Sequence, residues 1–245
     1  MKVQTLASGS SGNCTFIDSG SAKILVDAGI SARQISERLK SVGAQVSELS
    51  GVIVSHEHQD HTKAITALPV PVYVSSRTRH LWSGVEDLRE FRTDEAFSVG
   101  DILITPFPVP HDAVDPVGFA IEAGGKKVGI VTDLGSETEL VLEQLSDCDM
   151  LIIESNHDEG RLLTGRYPLE LKQRVAGRLG HLSNRQCSRL LESVVHGNLR
   201  FVVLAHLSER NNLPRLALDA ARRAVKGFSA SLHIAPKNCG EVFVL

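Results

Sequence analysis

Short runs of apolar, largely β-branched residues separated by Gly, Ser and Asn turns dominate the first quarter of the chain: Val3 to Leu6, Cys14 to Ile17, Ile24 to Val26 and Val52 to Val54. Their length and the turn residues between them predict strands. Further strands are predicted at Val70 to Val74, Ile102 to Thr105, Gly118 to Glu122, Val128 to Val131, Leu151 to Ile153 and Phe201 to Leu204. Between them the apolar spacing becomes helical. Ser31 and Gln34 have the spacing of a capping box, and Ile35, Leu39 and Val42 follow at helical intervals, which predicts a helix over Ala32 to Ser41. Comparable patterns predict helices over Glu137 to Leu145, Leu169 to Arg178, Asn184 to Val195 and Leu216 to Val225. Many strands with interspersed helices and no long internal repeat indicate a layered α/β architecture.

A chain of 245 residues, 42% of them hydrophobic, can bury one large core, and a single domain over residues 1–245 is expected. Four cysteines, Cys14, Cys148, Cys187 and Cys239, contain no C-x-x-C pair, so neither a disulfide framework nor a thiolate zinc site is indicated. A reducing compartment, the cytoplasm, is expected. No apolar run is long enough for a signal h-region or a membrane span, which predicts a soluble protein with no membrane partner. The net charge of -3 conceals an asymmetry: residues 1–150 carry 12 Lys and Arg against 21 Asp and Glu, residues 151–245 carry 14 against 8. Bound cations would offset part of the acidic excess, and the basic part would steer a polyanion.

The chemistry concentrates in His56-Glu57-His58-Gln59-Asp60-His61. By chance, three imidazoles and a carboxylate in this spacing arise about once in a thousand chains of this composition. His56 and His58, two apart on an extended segment, point to the same side and can share one ion; a helix would separate them. After the chain turns, Asp60 and His61 become available to a second. Asp27, His56, Asp133 and His206 each stand just past an apolar strand, where one sheet edge can hold ligands rigidly and stay open to substrate. His111 is the candidate third ligand of the first ion, Asp133 can bridge, and His206 completes the second. Imidazole and carboxylate without thiolate suit Zn²⁺, Mn²⁺ or Fe²⁺, and ligand softness does not choose among them. Two such ions are hydrolytic machinery. Asp27 can orient a ligand imidazole from behind. His181 precedes a predicted helix start, where imidazole beside N-terminal amides can bind a phosphate oxygen or protonate a leaving alkoxide; His157 is a weaker candidate for similar work. His80, His196 and His233 lack flanking partners and read as structural.

Together these residues resemble the metallo-β-lactamase superfamily, and more narrowly its WalJ/YycJ branch of metallohydrolases related to nucleases. The matching blocks are Ala7-Ser8-Gly9-Ser10-Ser11-Gly12-Asn13, Asp27-Ala28-Gly29, His56 to His61, Thr132-Asp133-Leu134-Gly135, Glu154 to Asp158, Gly180 to Asn184 and His206 to Asn212. The resemblance implies a four-layer αββα sandwich with a dinuclear site at one edge. It also implies that His56, His58 and His111 hold one metal, that Asp60, His61 and His206 hold the other, and that Asp133 bridges. By similarity to tRNA-processing relatives, His181 would serve the scissile phosphate, with Asp60 and His181 as the catalytic pair. The branch is associated with exonuclease action on duplex DNA from the 5′ end, so DNA is the leading substrate.

Only 47 residues lie between Asp133 and His181, too few for the inserted domain that grips RNA in some relatives. The segment Arg161 to Arg189, with Arg161, Arg166, Lys172, Arg174, Arg178, Arg185 and Arg189 against the single acid Glu170, is the candidate substrate surface, and Tyr167 could stack on a base. Two other readings are open. One is hydrolysis of a small cyclic phosphodiester, ester or thioester, which needs a compact pocket in place of a basic groove. The other is a non-enzymatic metal-binding partner or sensor, against which stand seven ligand candidates where a structural ion closes with about four.

Overall fold

The computed structural model describes residues 1–245 and forms two seven-stranded sheets packed face to face. The first contains β1 (Lys2–Ala7), β2 (Cys14–Asp18), β3 (Lys23–Val26), β4 (Gly51–Ile53), β5 (Val72–Ser75) and β6 (Leu88–Phe91) in spatial order. The second contains β7 (Phe97–Val99), β8 (Ile102–Pro108), β9 (Val117–Ala123), β10 (Lys126–Val131), β11 (Met150–Glu154), β12 (Phe201–Ala205) and β13 (Ser231–Ile234), also in order; β14 (Val242–Val244) returns to pair with β1. Each sheet starts antiparallel and becomes parallel, from β3 to β6 in one and from β10 to β13 in the other.

Parallel neighbours need crossovers, and helices supply most of them. Helix α1 (Ala32–Leu39) links β3 to β4, and the short α2 (Gln59–Thr62) follows β4. Helix α3 (Glu139–Leu145) links β10 to β11, α4 (Glu159–Thr164), α5 (Leu169–Ala176) and α6 (Asn184–Val194) lie between β11 and β12, and α7 (Pro214–Ala224) links β12 to β13. The Ser31 and Ser183 capping boxes both form, and Pro214 at the first turn of α7 starts that helix two residues before the predicted Leu216.

The strands read as continuous apolar runs because both faces are covered. Along β11, Met150 and Ile152 face the other sheet while Leu151 and Ile153 face the helices; Val203 and Ala205 of β12 alternate with Val202 and Leu204 in the same way. The inter-sheet layer also takes Ile17, Ile24, Val26 and Ile53 from the first sheet and Ile104, Phe119, Ile121 and Val128 from the second. Outside it, α3, α6 and α7 cover the second sheet, while α1 with its neighbouring turns covers the first through Ile35 and Leu39. The result is the αββα sandwich. No helix is long and apolar enough to cross a membrane.

Candidate metal centre

The C-terminal ends of β3, β4, β10, β11 and β12 lie on one edge of the sandwich, and each leads directly into polar residues: Asp27, Ser55-His56, Asp133, Glu154 and His206. Asp27, Asp133 and His206 have φ of 62°, 55° and 54°, a left-handed conformation that costs a side-chain-bearing residue about 1–3 kcal/mol and persists where the surroundings fix it. Only two other non-glycine residues, Asp94 and Asp147, share it, so the strain collects at this edge. Two close backbone approaches hold the Asp60-His61 turn. Asn13 N–H donates to Asp60 O at 2.7 Å and Ala28 N–H to His61 O at 2.7 Å. A Cβ on Gly29 would lie 1.6 Å from Asp60 O, so only glycine fits there.

Ligand atoms converge on this edge. His58 Nδ1 lies 3.1 Å from His56 Nε2 and 3.4 Å from His111 Nε2. Asp60 Oδ2 lies 3.5 Å from His206 Nε2 and 3.8 Å from His61 Nε2. Asp133 sits between, with Oδ2 2.9 Å from His61 Nε2 and Oδ1 3.9 Å from His111 Nε2. Four sets bring candidate ligand atoms within 4.8 Å of one another: His56 with His58 and His111; Asp60 with His61 and His206; His56 with His61 and Asp133; and Asp133 with Glu154, His181 and His206.

Four of the imidazoles are fixed from behind. His61 Nδ1 donates to Asp27 Oδ2 at 2.7 Å, His206 Nδ1 to Glu154 Oε1 at 2.9 Å, and His111 Nδ1 to the Gly180 carbonyl at 3.1 Å. His56 Nδ1 donates to Ser55 Oγ at 3.0 Å, and that hydroxyl donates to Asp27 Oδ2 at 2.9 Å. Each bond leaves Nε2 facing the cluster, the arrangement that orients and strengthens metal-binding histidines. Among the ligand atoms, His206 Nε2 is buried with no hydrogen-bond partner, and buried Asp133 Oδ2 meets only His61 Nε2, 2.9 Å away and not aligned as a hydrogen bond. A buried imidazole nitrogen and a buried carboxylate oxygen without hydrogen bonds in one cluster of ligand atoms fit a cation.

Burial alone would pull the His61 imidazole down, but the carboxylates of Asp27 and Asp133 on either side outweigh it and push it up to about 10. His206 is held well above its ordinary value against burial by Asp133, Asp60 and Glu154. Conversely, Asp133 is driven well below the carboxylate range, against burial, by His206 and His61. His56 and His111, desolvated and facing other imidazoles, go down. The cluster thus contains protons and negative charge in the places where divalent ions would substitute for the protons.

Glu154, which the sequence reading left without a role, is the hub of the second sheet's contribution. It is fully buried; Oε1 accepts from His181 Nδ1 and His206 Nδ1, both at 2.9 Å, and Oε2 accepts from the backbone N–H groups of Leu134 and Leu182, both at 3.0 Å. These bonds and the two imidazoles lower its carboxyl to about 2 despite burial. An acid ending an apolar strand, as Asp27 and Asp133 do, was the available signal. His181 stands at the rim, a fifth of its side chain exposed, with its ring 5.3 Å from those of both His111 and His206. Glu154 raises its pKa against the effect of burial.

The remaining candidates are more dispersed. His157 is buried beneath the rim, bridged through its backbone to Ser183, and its Nδ1 has no partner. Arg161 donates to Arg210 O, Lys172 Nζ to Leu163 O, and Arg174 Nε pairs with Asp112 at 2.6 Å, beside His111. Arg166 is exposed, while Tyr167 packs under the Arg210 guanidinium, 5.9 Å from it. His233 pairs with Glu241, and His196 with the Cys148 carbonyl, away from the cluster.

An αββα sandwich with imidazoles and carboxylates converging on one edge is the framework of a metallohydrolase. The chain belongs to the beta-lactamase superfamily: the Beta-lactamase superfamily domain matches residues 22–207. Exodeoxyribonuclease YycJ of Bacillus anthracis is 32% identical over 243 residues, covering 93% of this chain and 91% of that protein. Exodeoxyribonuclease WalJ of Streptococcus pneumoniae D39 is 31% identical over 231 residues, covering 88% and 85%. Among solved structures, the metallo-beta-lactamase fold protein YhfI of Bacillus subtilis superposes with a TM-score of 0.77 at 20% identity over 99% of both chains. Human tRNase Z, short form, does so at 0.68 and 14% identity over 100% of this chain and 99% of that one. At such identities these two establish the fold.

Proposed function

We propose that this protein is a dinuclear metal-dependent phosphodiesterase acting on nucleic acid, as a 5′-to-3′ exonuclease on duplex DNA. His56, His58 and His111 would hold one divalent ion, Asp60, His61 and His206 the other, and Asp133 would bridge. Ions in such a site, zinc or manganese by the donor set with iron also accommodated, lower the pKa of bound water and neutralise charge developing on a phosphate. Asp27 and Glu154 keep the imidazoles in the tautomer and direction the site needs. Asp60, a quarter exposed, is the carboxylate on the open side and orients the attacking water. His181, its Nδ1 engaged by Glu154, has Nε2 left to protonate the departing alkoxide. Arg161, Arg166, Lys172 and Arg174 would form the surface that receives the strand, with Arg166 the freest of the four cations, and His157, buried, would act on it only from beneath. Residues 1–245 act as one domain, and four free thiols, three of them buried, support a reducing, cytoplasmic setting.

The reading is carried by one observation: the full set of convergent imidazoles and carboxylates, with His181 at its rim, in a chain similar over 93% of its length to an exodeoxyribonuclease. The test incubates purified protein with Mn²⁺ or Zn²⁺ and labelled duplex and single-stranded DNA and RNA, beside an Asp60→Ala control. The expected outcome is metal-dependent cleavage of DNA that the substitution abolishes. Nucleic acids left intact by a preparation that hydrolyses a thioester or a cyclic phosphodiester would overturn the assignment.

A further inference from the structure

The chain between β11 and α6 leaves the metal centre and returns to it. Glu154 and His181 are bonded to each other at its two ends, and Asn156 N–H to Leu182 O and Asn184 N–H to His157 O close its base at 2.9 and 2.8 Å. From Asp158 to Leu179 only Leu162 is buried, and α5 contributes no buried residue. This is a finger that projects from the rim while adding little to the core. Its contacts reach both sides of the centre: Arg174 pairs with Asp112 next to His111, while Arg161 and Tyr167 rest on the Arg210 segment that follows His206.

Leucines stand out on this finger. Leu163 and Leu169, on either side of the turn between α4 and α5, are 75% and 70% exposed, among the most exposed large apolar side chains in the protein. Folding gives no reason to display them, and Lys172 Nζ, bonded to Leu163 O at 2.7 Å, fixes α5 beside α4 so that both stay on one tip. Cations share the segment: Arg166 is exposed in the turn between the two leucines, and Lys172, Arg174 and Arg178 follow on and after α5. Exposed aliphatic side chains among cations match a partner whose apolar surfaces are flanked by phosphates, as in the end of a nucleic-acid duplex.

Resting on the phosphodiesterase reading above, we propose that the α4–α5 finger is a strand-separating wedge: Leu163 and Leu169 pack against the terminal base pair and part it, so that one strand enters the metal centre unpaired. Both leucines are exposed, so a Leu163→Ser, Leu169→Ser double variant retains its core. The experiment compares wild type and variant on two DNAs with the same cleaved strand, one fully paired and blunt, the other with mismatches fraying its terminal pairs. The expected result is a loss of about tenfold in kcat/KM on the blunt duplex, with cleavage of the frayed one within about twofold of wild type. Equal losses on both substrates, or none, overturn the wedge while leaving the phosphodiesterase reading standing. A wild-type dimer that the double variant dissociates in sedimentation velocity, with cleavage of both DNAs unaltered, assigns the leucines to a second copy of the chain and also overturns it. Wild-type protein that cleaves neither DNA removes the phosphodiesterase reading and the wedge with it.

Discussion

His61 divides its two nitrogens between two jobs, Nδ1 bonded to Asp27 and Nε2 turned toward Asp60 and Asp133. The consequence is that Asp27 can be tested without touching a ligand atom. Asp27 accepts from Ser55 N–H, Ser55 Oγ and His61 Nδ1, so an amide in its place meets one donor too many, although asparagine tolerates the left-handed φ of 62°. Asp27→Asn should keep the fold by circular dichroism and weaken metal affinity about 10–100-fold in a competitive chelator titration. Protonation gives a second prediction. In metal-free protein the raised His61 and His206 contribute stability that is complete below the unfolded imidazole pKa of about 6.5 and is lost as pH rises through the folded values, about 10 for His61. Lowered Asp133 and Glu154 contribute stability that is present above about pH 4.5 and is lost as pH falls through their folded values, about 2 for Glu154. The lowered His56 and His111 work against stability as pH falls below about 6.5, so the metal-free melting temperature should peak near about pH 6.5, and metal uptake near pH 7 should release about two protons, read by calorimetry in buffers of different ionisation enthalpy. A binding heat independent of buffer, with a melting maximum above pH 8, would contradict both. At this scale the sequence was most informative where residue types are scarce: histidine clusters announce themselves. Glu154 did not, because an acid after a strand has many uses and its two imidazole partners lie 27 and 52 residues away.

Among elements, the central strands were legible and the edges were not. β6, β7, β13 and β14, the four strands absent from the sequence reading, are the outermost strands of the two sheets. Burial of both faces writes a continuous apolar run into a central strand, whereas an edge strand needs less of one: Leu88–Phe91 buries only Phe91, and Val242–Val244 only Phe243. Helix α4 was hidden for the same reason, a single buried leucine in six residues. What the pattern could not express at all is the contact between loops. Asn13 and Gly29 lie far from His61 in sequence, yet they pack on the backbone of its turn, and Asn13 Nδ2 reaches within 2.9 Å of His61 Nε2. Gly29→Ala places a methyl group on the Asp60 carbonyl, and either the α2 turn or the Asp27 loop must move. We expect a cost of about 1–3 kcal/mol in urea denaturation together with loss of tight metal binding. Alanine accepted at Gly29 with both properties unchanged would show that the turn is not clamped.

For the whole molecule, the site joins its two halves. His56, His58, Asp60 and His61 follow β4 of the first sheet, while His111, Asp133 and His206 follow strands of the second, and the hydrogen bonds of Glu57 Oε1 with Val114 N–H and of Ser8 Oγ with His206 N–H cross between the same two layers. The inter-sheet layer beneath is apolar and directionless, so it resists separation of the sheets but little opposes their sliding. Ions held by ligands from both sheets would oppose sliding. Because ions bind the folded arrangement and not the unfolded chain, an ion present at about a hundred times its dissociation constant should add about 2.7 kcal/mol of stability. For a chain of this length that is a rise of about 5–10 °C in melting temperature, removed by chelation and restored by metal. Substitution on either side of the interface tests the two-sided character: His58→Ala in the first sheet and His111→Ala in the second should each abolish most of the metal-dependent rise. If one of them leaves the rise intact, the ions are held by a single sheet, and the thermal gain has to come from stiffening of loops within that sheet alone.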